Sequence, residues 1–123
     1  MNTITNEGDG SKLEQAKTMK NMQDEVHAYI SGFEEGYFPP MEMLARLTEE
    51  LGELAREVQH VYGMKKKKDN EEIKSLEEET GDLLFVLVCF ANSQGISLED
   101  ALMGVMTKFN NRDADRWTKK EEF

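Results

Sequence analysis

The run LLFVLVCFA, Leu83 to Ala91, constrains this chain more than any other segment, because it follows directly on the acidic cluster EETGD, Glu78 to Asp82. An isolated carboxylate in a low-dielectric site is strongly disfavoured unless a cation or hydrogen bonds satisfy it. A segment that has to be buried therefore abuts acids that need partners. The run is far shorter than the roughly 20 apolar residues that span a bilayer, so it is expected to build a core within the protein. Ile73, Leu76, Thr80, Leu83, Leu84 and Leu87 share one side of a helix, and beyond Asp82 that helix is apolar on every face. In a domain this small, burial on all sides calls for the surface of a partner subunit. A homo-oligomer, dimer or tetramer, is expected.

The rest of the chain keeps a helical period. Segment one is expected over Thr18 to Glu35, with Met19, Met22, Val26, Tyr29, Ile30 and Phe33 on one face and Gly36 as its stop. Pro39 and Pro40 separate it from segment two, which opens at Pro40, a favoured first-turn residue, and runs to Tyr62 and Gly63. Lys65 to Glu72, KKKKDNEE, reads as a solvated connector whose like charges repel. Segment three covers Asn70 to Ser93 and stops before Gly95. Ser97 with Asp100 resembles a capping box opening segment four, Leu98 to Trp117. Strand-like alternation is missing, so the expected fold class is all-α, a bundle of about four helices. Residues 1–17 read as a disordered lead-in, 18–118 as the helical domain and 119–123 as a tail.

Charge narrows the function. With 15 Lys and Arg against 25 Asp and Glu, a net −10, the surface is not one built to hold nucleic acid by its phosphates. A phosphate ligand would need bridging cations. Cys89, the one cysteine, lies inside the apolar run, where it is expected to be a buried thiol suited to a reducing cytoplasm. The stretch MNTITNEGDGSK has no apolar core of signal-peptide length, so neither export nor a membrane partner is expected.

Two helices each carry a carboxylate pair. Glu50 and Glu53, within EELGE at Glu49 to Glu53, project together, as do Glu79 and Asp82. Either pair alone reads as solvated surface. Together, with one pair abutting a buried run and with Gly52 and Gly81 inside the motifs, they favour a metal site and close helix approach. Oxygen-only ligands suit a hard cation, Mg²⁺ or in its place Mn²⁺. A di-iron bundle needs two Glu-x-x-His helices, and only Glu57 with His60 qualifies; Asp24 with His27 is an imitation.

EELGE, followed at a distance by ETGD on the next helix, in a chain ending KFNNRDADRW, is similar to the MazG-like nucleotide pyrophosphohydrolases. The resemblance covers Met19 to Trp117. It implies Mg²⁺-dependent cleavage of a nucleoside triphosphate between the α and β phosphates, giving a monophosphate and pyrophosphate. By position, Glu50, Glu53, Glu79 and Asp82 match the metal ligands. Glu49 matches the first Glu of the motif, placed to take a proton from water or hold a further ion, so that Glu49, Glu50 and Glu53 form the catalytic set. The related breakdown of phosphoribosyl-ATP is one alternative; a non-catalytic helical oligomerisation module is another.

Segment four supplies a basic face. Lys108, Asn111 and Arg112 lie at i, i+3 and i+4, with Arg116 a turn on, placed to clamp the pyrophosphate unless the arginines pair with Asp113 and Asp115. Phe33 and Phe38, beside Tyr37, are candidates to stack on a base or to serve as core.

Overall fold

The computed structural model describes residues 16–63, 69–113 and 115–121, and among them it contains four helices and no strand. We label them α1 (Met19–Ser31), α2 (Pro40–Tyr62), α3 (Asp69–Ser93) and α4 (Leu98–Arg112). The all-α expectation holds. The most extensive packing is between α2 and α3, with α1 laid on α3 and α4 on α1.

Local chemistry sets the helix ends. The Thr18 hydroxyl accepts from the Asn21 N–H at 3.0 Å while Asn21 Oδ1 accepts from the Thr18 N–H at 3.1 Å, a reciprocal cap that opens α1. Its expected end at Glu35 is corrected to Ser31. There the N–H groups of Gly32 and Phe33 donate to carbonyls three residues back, at 3.2 and 3.1 Å, and close the last turn early. Gly36, the expected stop, instead sits in the following loop at φ 63, where a Cβ would be strained. The Ser97 hydroxyl accepts from the Asp100 N–H at 3.1 Å and starts α4. That helix ends at Arg112 rather than Trp117: the next residue, Asp113, leaves helical backbone at φ −108 and ψ 19, and Arg112 folds onto its carboxylate, Nε and Nη2 lying 3.3 and 3.4 Å away. Lys65 to Lys68 lie outside the described residues, whereas 69–72, expected in the connector, already belong to α3.

The core is small. It consists of Met43, Val61, Val86, Val88, Cys89 and Ala91, drawn chiefly from the LLFVLVCFA run. Yet Leu84, Phe85 and Leu87 of the same run are 49%, 40% and 39% exposed. A single chain therefore does not bury the run on all sides. The apolar stripe of α4 buries nothing, and Met22 and Tyr29 of α1 are also exposed. Among the described residues no single helix is long and apolar enough to cross a membrane; Ser75–Ser93 and Leu98–Arg112 reach that composition only as a pair bent by 101°.

A buried amide ties the bundle together. Gln23 on α1 donates to Asn92 Oδ1 at 2.8 Å and to the Ile96 carbonyl at 2.9 Å, and accepts from the Leu98 N–H at 3.0 Å. One side chain thus serves α3, the α3–α4 turn and the first residue of α4. Gln23→Leu keeps the volume but strands these partners, each costing about 1–3 kcal/mol when buried and unpaired. A loss of roughly 3 kcal/mol in urea unfolding is expected, and a loss below about 1 kcal/mol would contradict this role.

The expectation that Gly52 and Gly81 allow close helix approach is corrected: a Cβ at either position meets nothing within 4 Å. Inside this chain both glycines cost helix stability without a packing return. Gly52→Ala should therefore raise unfolding stability by about 0.5–1 kcal/mol, read as an upward shift in Tm.

Candidate metal centre

The spacing i, i+3, i+7 carries Glu50, Glu53 and Glu57 along one face of α2, and α3 brings Glu79 opposite them. One carboxylate oxygen from each of Glu50, Glu53 and Glu79 lies within 4.8 Å of the others. Octahedral ligands about 2.1 Å from one Mg²⁺ stand about 3.0 Å apart when adjacent and about 4.2 Å apart when opposite, so side-chain adjustments on the order of an ångström would close the three on a common ion.

Two of those groups are poorly satisfied by the protein. Glu50 Oε1 and Glu79 Oε1 are buried and have no hydrogen-bond partner. Leaving a buried carboxylate oxygen unpaired is costly, and a cation removes the cost. The Glu79 carboxyl is pushed above the ordinary carboxylate range, first by desolvation, then by the charges of Glu53 and Asp82, a hydrogen bond with Glu53 and the charge of Glu57. Crowded like charges produce this shift, and a divalent ion reverses it. The donor set, all carboxylate oxygen, fits a hard cation.

The other expected residues sit as follows. Asp82 is exposed on α3, outside the group of three, and acts on Glu79 through its charge. Glu49 is exposed at the rim, 3.9 Å from Arg46 Nε. Arg46 also lies 3.7 Å from Glu50 Oε2 and is the one cation the structure pairs with these acids among the described residues. Sequence reading passed over Arg46, although its position four residues before Glu50 was the available signal. Glu57 pairs loosely with His60 at 3.5 Å. The second half of a di-iron site is not there: Asp24 pairs with Lys20 at 2.9 Å and His27 lies 2.9 Å from the Tyr37 hydroxyl.

The basic face of α4 is not brought onto the carboxylates by the packing of this chain, since α4 lies on α1. Arg112 and Arg116 both approach Asp113, at 3.3 and 3.9 Å, and with Phe109, Trp117 and Lys119 they line a groove of about 570 Å³. Lys108 lies over the Phe109 ring at 5.7 Å, and Asn111 is exposed beside them. Of the two aromatic candidates, Phe33 packs edge-on against Tyr29 at 5.2 Å, while Phe38 lines a separate pocket with Tyr37, Arg46 and Phe85.

Comparison with known proteins adds independent findings. A model of the MazG nucleotide pyrophosphohydrolase domain matches residues 38–117. The uncharacterised protein YpjD of Bacillus subtilis (strain 168) is 68% identical over 106 residues, 86% of this chain and 96% of that protein. The crystal structure of the Bacillus-conserved MazG protein, described as a nucleotide pyrophosphohydrolase, shares 60% identity at a TM-score of 0.70, covering 83% of this chain and 99% of that one. The crystal structure of YpjD from Bacillus subtilis shares 65% identity at a TM-score of 0.73, covering 79% of this chain and 99% of that one.

Proposed function

The chain belongs to the MazG nucleotide pyrophosphohydrolase family and is an enzyme of that class, and from that premise we propose a Mg²⁺-dependent hydrolase that converts a nucleoside or deoxynucleoside triphosphate to its monophosphate and pyrophosphate. The observation that carries the metal part is the pair of unpartnered buried oxygens on Glu50 and Glu79, with Glu53 within 4.8 Å. A bound divalent cation neutralises the triphosphate and makes coordinated water more acidic.

The chain's own residues do the rest. Glu50 and Glu53 from α2 and Glu79 from α3 would hold the cation, with Asp82, one turn along α3, as the further candidate ligand. Water attacks the α phosphorus, the bond to the α–β bridging oxygen breaks, and pyrophosphate leaves. Glu49, exposed at the rim, takes the proton of the attacking water on its carboxylate. Because this chain's own α4 lies on α1, it is the α4 of a partner subunit that brings Lys108, Asn111, Arg112 and Arg116 to the departing pyrophosphate, the arginines by paired donors. Phe38 faces the base; Phe33, packed edge-on against Tyr29 outside that pocket, is the second candidate.

We further propose that residues 18–118 form the catalytic domain of a homodimer or homotetramer. The exposed Leu84, Phe85, Leu87 and Met106 support that assembly. A free, buried Cys89 is in keeping with a cytoplasmic setting, and clearance of modified or surplus nucleotides is the role such an activity suits.

A panel of standard and modified triphosphates, incubated with Mg²⁺ and separated by chromatography, tests this reading. Monophosphate and pyrophosphate in equal amounts are expected. Release of diphosphate and orthophosphate, or no turnover of any triphosphate alongside cleavage of phosphoribosyl-ATP, would reject it.

A further inference from the structure

One turn back along α2 from Glu50 lies Arg46, which also lines a pocket of about 100 Å³ walled by Tyr37, Phe38, Met43, Phe85 and Val86. Resting on the reading of the acids as the phosphate end of the site, we propose that this pocket is the nucleoside subsite, and that it takes a single-ring pyrimidine base in preference to a purine.

Continuity is the first argument. Arg46 both lines this pocket and reaches toward Glu50, Nη2 standing 3.7 Å from Oε2, so a ligand whose α phosphate sits at the acids meets this pocket on the other side of Arg46. The larger groove across Phe85, about 500 Å³ and lined by Lys17, Tyr29 and Gly81, shares no side chain with the acids. Chemistry is the second. Aromatic and aliphatic walls suit the face of a base, and one cation with donors to spare suits its edge. At 3.7 and 3.9 Å the Arg46 ion pairs are too long to be good hydrogen bonds, which leaves guanidinium N–H groups for a ring carbonyl oxygen.

Size decides the class of base. An apolar cavity of about 150 Å³ holds one benzene ring. A pocket of about 100 Å³ is smaller than that, so it takes no more than one six-membered ring, part of it standing at the mouth, and has no room for a fused second ring. The wall that sets this limit is held in place: the Tyr37 hydroxyl accepts from Asn92 Nδ2 at 3.1 Å and lies 2.9 Å from His27 Nδ1, while Met43 is only 3% exposed. Discrimination by a preformed apolar wall reaches roughly 10–200-fold per misfitting group.

The test compares kcat/KM for cytidine and uridine triphosphates with that for adenosine and guanosine triphosphates, in the wild type and in Val86→Ala and Met43→Ala. At least about a tenfold pyrimidine preference is expected, narrowing in whichever enlarged variant keeps wild-type helical content. Arg46→Lys, which keeps the charge beside Glu50, should raise KM for pyrimidines more than it lowers kcat. A second arm, calorimetric binding of the four monophosphates with Mg²⁺, needs no turnover. Equal kcat/KM across bases, or a preference unmoved in both variants, overturns the subsite and leaves the hydrolase reading standing. If no triphosphate is cleaved, the hydrolase reading falls, and monophosphate binding alone judges the pocket: pyrimidine preference supports it, equal or absent binding overturns it.

Discussion

Glu53→Gln is expected to lower kcat/KM for triphosphate hydrolysis by at least about 100-fold, equivalent to about 2.7 kcal/mol of transition-state stabilisation, with helical content unchanged. The substitution is nearly isosteric. It removes the charge of a residue tied to both of the others: Glu53 shares the 4.8 Å group with Glu50 and Glu79 and is also the hydrogen-bond partner of Glu79. An amide oxygen is a weaker ligand for a hard cation, and the amide nitrogen repels one. Glu49→Gln, at the exposed rim, should lose less and should leave metal affinity nearly intact. If Glu53→Gln turned over at more than about a tenth of the wild-type rate, Glu53 would not be a ligand.

Glu79→Gln should have opposite effects on stability with and without metal. In the metal-free protein the Glu79 carboxyl titrates above its ordinary value. A raised folded-state value means that the folded chain binds this proton more tightly than the unfolded chain does. The stability so contributed is fully present below the unfolded-state value and is lost as pH rises through the folded-state value. Near neutrality the charged Glu79 therefore opposes folding, and Glu79→Gln, which carries no such charge, should melt higher than the metal-free wild type. Toward acid pH the two should converge. With Mn²⁺ at about 100 times its Kd the wild type gains about 2.7 kcal/mol by linkage, which the variant forgoes, and the order of Tm reverses. A variant less stable than the metal-free wild type at neutral pH would contradict the crowding argument.

The sequence made these acids visible because helical spacing is rigid. Glu50 with Glu53, and Glu79 on the next helix, were bound to share faces once Pro40 and Gly95 bracketed α2 and α3. Side-chain length was not visible in the same way. Asp82 matches the motif, yet it stays outside the group that Glu79 joins. The end of α1 was overrun because apolar periodicity continues through Phe33, and that of α4 because Lys108, Asn111, Arg112 and Arg116 keep helical spacing; α1 instead closes on the three-residue bond of Gly32, and α4 stops where the backbone of Asp113 turns to φ −108 and ψ 19. Contacts between distant segments left no periodic trace. Gln23 reaching Asn92, and Arg46 joining an aromatic pocket to Glu50, arise from packing alone.

Calorimetric titration of Mn²⁺ into the wild type, Glu53→Gln and Glu79→Gln tests most directly whether the paired helices were built around a cation. Saturable binding by the wild type, weakened at least about 100-fold in both variants, is the predicted result. Binding of equal strength in all three proteins, or none in the wild type, would contradict it.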